Sequence, residues 1–174
     1  MMHTLAIDLM IPIDKYPHVL HTSTIKEVAS VFKESRLEVG GLKSLPRAVL
    51  VFDEENHALG LVRRRDILRG LEPKFLRTMT APRRRQLFNI EIDPNLVDMS
   101  GSKILTAVRE QAKASVSEIM QPIVGTLEHD DLLAKIIYKM LSHNQSLMPV
   151  LKNEKVIGVV RSVDAFHEVV NNLL

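Results

Sequence analysis

The chain has 174 residues, 45% hydrophobic and 25% charged, enough apolar material for a buried core in one large domain or two small ones. Cysteine and tryptophan are absent and aromatics are only 4%, which excludes disulfides, thiolate metal sites and a cysteine nucleophile and argues against a base-stacking platform for single-stranded nucleic acid. The net charge of +2 hides a cationic stretch: residues 60–90 hold nine Lys and Arg against Asp66 and Glu72, leaving the rest of the chain at −5.

In chain order, Val19–His21 reads as a short strand. Thr24-Ile-Lys-Glu27 fits a capping box, each terminal side chain satisfying the other end's free backbone N–H, and Ile25, Val28, Ala29 and Phe32 recur at the spacing of a helix face. The Gly-Gly and Pro of RLEVGGLKSLPRA (36–48) mark a loop. Ala48–Phe52 and Ala58–Val62 are predicted strands around the turn Asp53–His57, and Arg64–Gly70 opens a helix. In 72–116, Pro73 and Pro82 break the first half, while Ser102–Ala114 reads as a helix on Ile104, Leu105 and Val108, capped by Ser100 or Ser102. A structureless loop of this length is unusual, so the segment is expected to be partly helical and to pack across its neighbours. Asp130 or Asp131 is expected to cap a helix whose buried face is Leu132, Leu133, Ile136, Ile137 and Met140. Leu147–Leu151 and Val156–Val160 form a hairpin, and Ser162–Leu174 closes the chain with Val163, Phe166, Val169 and Val170 on one face.

These elements repeat. VFDEENHALGLVRRRDILRGL (51–71) aligns with VLKNEKVIGVVRSVDAFHEVV (150–170), pairing Gly60 with Gly158, Arg63 with Arg161 and Asp66 with Asp164. Upstream, Leu9-Met10-Ile11-Pro12 answers Ile119-Met120-Gln121-Pro122. The first copy is longer between these landmarks, and the surplus is assigned to 36–48. Each copy reads β-α-β-β-α.

Two such copies, each opening near Met-x-Pro and closing on Gly-apolar-Val-Arg-x-x-Asp, resemble a pair of cystathionine-β-synthase (CBS) domains, the Bateman module. The resemblance implies an α/β fold of two motifs about a pseudo-twofold axis: a first motif over 1–71, a connecting insert over 72–116 and a second motif over 117–174. The first strand of each copy is expected to pair with the other copy's sheet, so that neither half folds alone. The resemblance also implies clefts that bind an adenosine-containing ligand such as AMP, ADP, ATP or S-adenosylmethionine. On this reading Asp66 and Asp164 hold ribose hydroxyls, and the adjacent helix N-termini face phosphate. Either Asp equally suits the first turn of a helix. Nucleotide-binding members usually carry Ser or Thr where this chain has Arg63 and Arg161. A guanidinium there either reaches phosphate itself or fills the cleft and abolishes binding. Ser162, matched by Arg64 in the first copy, is a further phosphate candidate or a helix cap. Apolar residues Ile11–Ile13, Ala48–Val49, Ile123, Val124, Met148 and Pro149 would wall the base or pack in the core.

Arg84, within Arg83–Arg85, is expected to meet ligand phosphate, dock an acidic partner or be solvated. His18-x-x-His21 has no third ligand nearby, so no metal is expected, and no catalytic constellation is found. A regulatory module requiring no cofactor is therefore expected, with no enzymatic activity and no recognition helix for nucleic acid. The apolar helix faces predict a homodimer. The alternative is a ligand-free module that docks onto a protein partner. No apolar run approaches the roughly 20 residues of a membrane helix and no signal peptide is read, so a cytoplasmic location is expected.

Overall fold

The computed structural model describes residues 3–74 and 101–174. Two four-stranded sheets each borrow an edge strand from the opposite copy. The first sheet runs β2 (His18–Leu20), β5 (Ala48–Phe52), β6 (Ala58–Arg63), then β7 (Gln121–Pro122). The second runs β1 (Ile11–Pro12), β10 (Lys155–Arg161), β9 (Leu147–Lys152), then β8 (Leu127–Glu128). β2 lies parallel to β5 and β8 parallel to β9, each within its own copy, and the remaining pairings are antiparallel; the strand expected around Val19–His21 therefore stays in its own sheet, and the exchanged strands are β1 and β7 at the Met-x-Pro motifs.

The two motif glycines make this exchange possible. Pro122 pairs with Gly60, and Pro12 pairs with Gly158. A Cβ on Gly60 would lie 2.6 Å from the Gln121 carbonyl oxygen, and one on Gly158 would lie 2.6 Å from that of Ile11. Only a residue without a side chain lets the exchanged strand approach so closely. Met120 and Met10 pack beside these glycines, so the two separated sequence motifs of each repeat meet across the copies.

The segments leading into the exchanged strands also cross over. α1 (Ala6–Leu9) hangs from the second copy through Ala6 N–H to Asp131 O and Ile7 N–H to His129 O. Correspondingly, Val116 N–H donates to Ser23 O, and Ile25 N–H donates to Ala114 O.

The capping box forms as expected at α2 (Ile25–Glu34): Thr24 N–H donates to Glu27 and Glu27 N–H donates to Thr24 Oγ1. Ile25, Val28 and Phe32 are buried with Val49, Val51, Val62 and Ile67 of α3 (Arg64–Leu71). α4 (Gly101–Gln111) leads into Ala112 and Ala114, whose carbonyls accept from the first N–H groups of α2. α5 (Leu133–Ser142) and α6 (Ser162–Leu173) cover the second sheet.

Three local expectations are corrected. Residues 36–48 are no loop: β3 (Leu37–Val39) and β4 (Leu42–Ser44) form a hairpin, with Gly40 and Gly41 at φ +58° and +79° supplying its two-residue turn. The buried face of α5 omits Leu132, which is 47% exposed. On α6, Asp164 and Ala165 are buried, while Phe166 is 62% exposed.

Asp131 does not cap α5 through its side chain, since Leu132 holds that position. Its buried carboxylate instead takes Lys135 Nζ at 2.5 Å, Lys139 Nζ at 2.8 Å and Glu128 N–H at 3.0 Å. Burial opposes ionisation, but the two ammoniums and the amide outweigh it and hold the carboxyl below its ordinary value. A depressed folded-state pKa adds stability that is present above about pH 4 and is lost as pH falls through the folded value. Asp131→Asn should cost about 1.5–3 kcal/mol at neutral pH. Calorimetric scans from pH 7 to pH 2.5 should show the wild-type advantage shrinking only below about pH 4; a constant gap would refute this role.

Candidate functional site

The repeated Arg-x-x-Asp brings each arginine onto its own aspartate, because strand end and first helical turn put residues three apart side by side. The two pairs differ in burial. Arg161 grips Asp164 through Nε at 2.7 Å and Nη2 at 2.6 Å, with the side chains 7% and 8% exposed. Its Nη1 donates to Ser44 Oγ at 2.8 Å, so the first copy's extra hairpin latches over the second copy's motif. Arg63 holds Asp66 more loosely, through Nε at 3.0 Å and Nη2 at 3.4 Å. Asp66 is buried, accepting also from Arg63 N–H, but the Arg63 side chain is 47% exposed.

Tyr16 deepens the asymmetry. It is 2% exposed and packs with Ile11, Leu37 and Val159 between the sheets. Its hydroxyl donates to Ala48 O at 2.7 Å, engaging a carbonyl on the expected base wall. Burial pushes the phenol well above its usual pKa against the pull of the Arg161 and Arg64 charges, and the hydroxyl stays a neutral donor. The stretch in the second copy that matches 13–18 is Ile123–Thr126, two residues shorter and without an aromatic side chain.

The remaining candidates scatter. Met148 is fully buried in the second copy's core, with its Cε against Gly125 in the loop that follows Val124, and Pro149 is a buried ladder residue opposite Val159. Ile123 is half-buried and Val124 is 58% exposed beyond β7. Arg64 sits over the Phe32 ring at 5.1 Å and lines a groove between α2 and α3. Ser162 lines the equivalent groove between α5 and α6; its N–H donates to Ser146 O, and Arg161 holds the helix-cap position. Arg84 and its neighbours Arg83 and Arg85 lie outside the described residues. Among the described residues no three His, Asp or Glu side chains gather to hold a metal, and no helix is long and apolar enough to cross a membrane.

Sequence spacing could not reveal the Ser44 latch or the Tyr16 plug. The only available signal was the surplus length of 36–48, which had to lie somewhere near a motif.

A sequence model of the CBS domain matches residues 6–73 and 116–171. No curated protein sequence matches the chain. Among solved structures, a CBS-domain protein of unknown function from Kribbella flavida is similar at TM-score 0.67 and 18% identity, over 96% of this chain and 98% of that one. The CBS domain of a membrane protein from Sphaerobacter thermophilus is similar at TM-score 0.65 and 20% identity, over 95% and 87%. CBSX2 in complex with AMP is similar at TM-score 0.61 and 12% identity, over 98% of each chain.

Proposed function

The chain belongs to the CBS domain family, and from that premise we propose that it is a regulatory module binding one adenosine-containing ligand in the cleft of Arg63 and Asp66. The contrast between the two arginines carries this reading: Arg63 is 47% exposed, Arg161 only 7%. With its guanidinium half in water, Arg63 gives up less than Arg161 on leaving its aspartate, so ribose hydroxyls can take its place on the buried Asp66 and phosphate can receive it. Opening the buried Arg161–Asp164 pair costs about 3–5 kcal/mol, which a ligand would have to return before binding at all. AMP in a similar fold supports adenine nucleotides as the first ligands to try.

The same module would self-associate. The grooves between α2 and α3 and between α5 and α6 are related by the repeat, with Phe32 answering Met140 and Leu68 answering Phe166. Leu68, Leu141 and Phe166 are 69%, 76% and 62% exposed, an apolar face that a second copy of the chain would cover.

Native mass spectrometry of freshly purified protein reads both features, a homodimer carrying one nucleotide per chain. In titrations, Arg63→Ala should weaken AMP about ten- to a hundredfold and spare adenosine, while Asp66→Ala should weaken both. One specific observation favours a second reading: the Asp66 carboxylate already accepts from Arg63 N–H, Nε and Nη2. If millimolar AMP, ADP, ATP and S-adenosylmethionine all leave the melting temperature unchanged, a ligand-free module docking onto a protein partner replaces the first reading.

A further inference from the structure

A cavity of about 420 Å³ opens far from both motif aspartates, at the other end of the sheets. It is framed by Leu20 of β2, Phe52 at the end of β5, Ile13, and Val156 at the start of β10. Lys155 and Arg161 mark opposite ends of β10, and six strand steps of about 3.3 Å separate them by roughly 20 Å. The cavity therefore shares no wall with either Arg-Asp pair.

Its lining has the character of a small-molecule site: apolar walls with a few polar groups, at a junction between two packed units and within the volume range of ligand pockets. The first copy supplies Ile13, Leu20 and Phe52, and the second supplies Val156 and Lys155. Among the described residues Lys155 is the only Lys or Arg on the lining, and no carboxylate lines the cavity with it. The His18 ring meets Phe52 edge-on, centroids 5.7 Å apart at 79°, giving the wall a pair of flat surfaces. Because a carbonyl can only accept, His18 Nδ1–H donates to Tyr16 O at 2.8 Å, which fixes the ring's place on the wall.

The repeat supplies an internal comparison. At the equivalent positions of the other copy, Glu128 stands for Leu20 and His57 for Lys155, and His57 is occupied by Asp53 at 3.1 Å. Apolar wall and unopposed cation thus coincide at one end of the pair only.

We propose that this cavity binds a small aromatic monocarboxylate, with its ring against Phe52, Leu20 and Val156 and its carboxylate on Lys155. A single cation matches a single negative charge and is poorly matched to a nucleotide's phosphates. Since both copies line the cavity, the ligand bridges them and biases their relative arrangement by its preference for one of them.

The probe is phenylacetate, with phenylacetamide as its uncharged counterpart, titrated into the full chain carrying labelled Leu and Val methyl groups. Saturable shifts are expected at Leu20 and Val156. Lys155→Met should weaken phenylacetate at least fivefold and leave phenylacetamide unchanged. Leu20→Glu, which installs the residue the other copy tolerates, should remove both, and Arg63→Ala should leave phenylacetate unaffected whether or not the nucleotide reading holds. Absence of saturable shifts at these methyls in the folded protein overturns the proposal, as does equal weakening of both probes by Lys155→Met.

Discussion

Gly158→Val should be strongly destabilising although it adds only apolar atoms. Its Cβ would stand 2.6 Å from the Ile11 carbonyl oxygen and 2.8 Å from Met10 Sδ, and the first of these is backbone that cannot rotate away. The strand must separate or bend, and overpacking of this kind costs about 3 kcal/mol. For a chain of this size the melting temperature should fall by about 6–12 °C. Gly60→Val, opposed by Gln121 O at 2.6 Å, should behave alike because it guards the mirror exchange. Gly101→Ala is the control: among the described residues nothing lies within 4 Å of its Cβ, and it should be neutral or slightly stabilising. Equal melting temperatures for all three would show that the exchanged strands yield without cost.

Arg161→Ala should cost about 3–5 kcal/mol, because Asp164 would remain buried without its two charge-assisted bonds. Ser44 would lose its partner as well. Replacing the pair together, Arg161→Met with Asp164→Leu, should restore most of the loss, since an apolar pair has no desolvation penalty to offset. Arg63→Ala should cost less than Arg161→Ala, as the shortened side chain lets water reach Asp66, which keeps its bond from the residue 63 N–H. Urea midpoints for the wild type, Arg161→Met, Asp164→Leu and the two together form a thermodynamic cycle, and additivity in that cycle would mean that the two side chains act independently.

The repeat was legible because its landmarks answer a backbone requirement. Gly60 and Gly158 tolerate no side chain, and Met-x-Pro is what crosses them, so the motifs recur and disclose the exchange. The strands Ala48–Phe52 and Ala58–Val62 were legible as apolar stretches on either side of a polar turn, the second running one residue further to Arg63, and α2 was legible from its capping box. The hairpin was missed although Leu-Glu-Val and Leu-Lys-Ser alternate about Gly-Gly, because glycine pairs were read as loop punctuation when they also make the tightest reversal. The exposures of Leu132 and Phe166 were missed because a wide apolar stripe does not say which edge of it meets the sheet. As for the site, spacing alone placed each Arg near each Asp. Both guanidiniums turn toward their own aspartates, but Arg161 also reaches Ser44, 117 positions away in sequence, and no local pattern carries that contact.

The traded edge strands also give the chain an order of completion during synthesis. β1 is made long before its partner β10, so it waits for nearly the whole of both copies to emerge before it finds its place. The unit holding β6 is in the converse position. Its outer edge stands open until Gln121 and Pro122 emerge, roughly sixty residues later, and at about 5–20 residues per second this delay is several seconds. An unpaired edge is an invitation to any extended segment nearby. The Gly60 edge, with no side chain to shield it, is where a nascent neighbour would pair by mistake, and crowded translation is the condition under which this protein should be most prone to chain-to-chain entanglement.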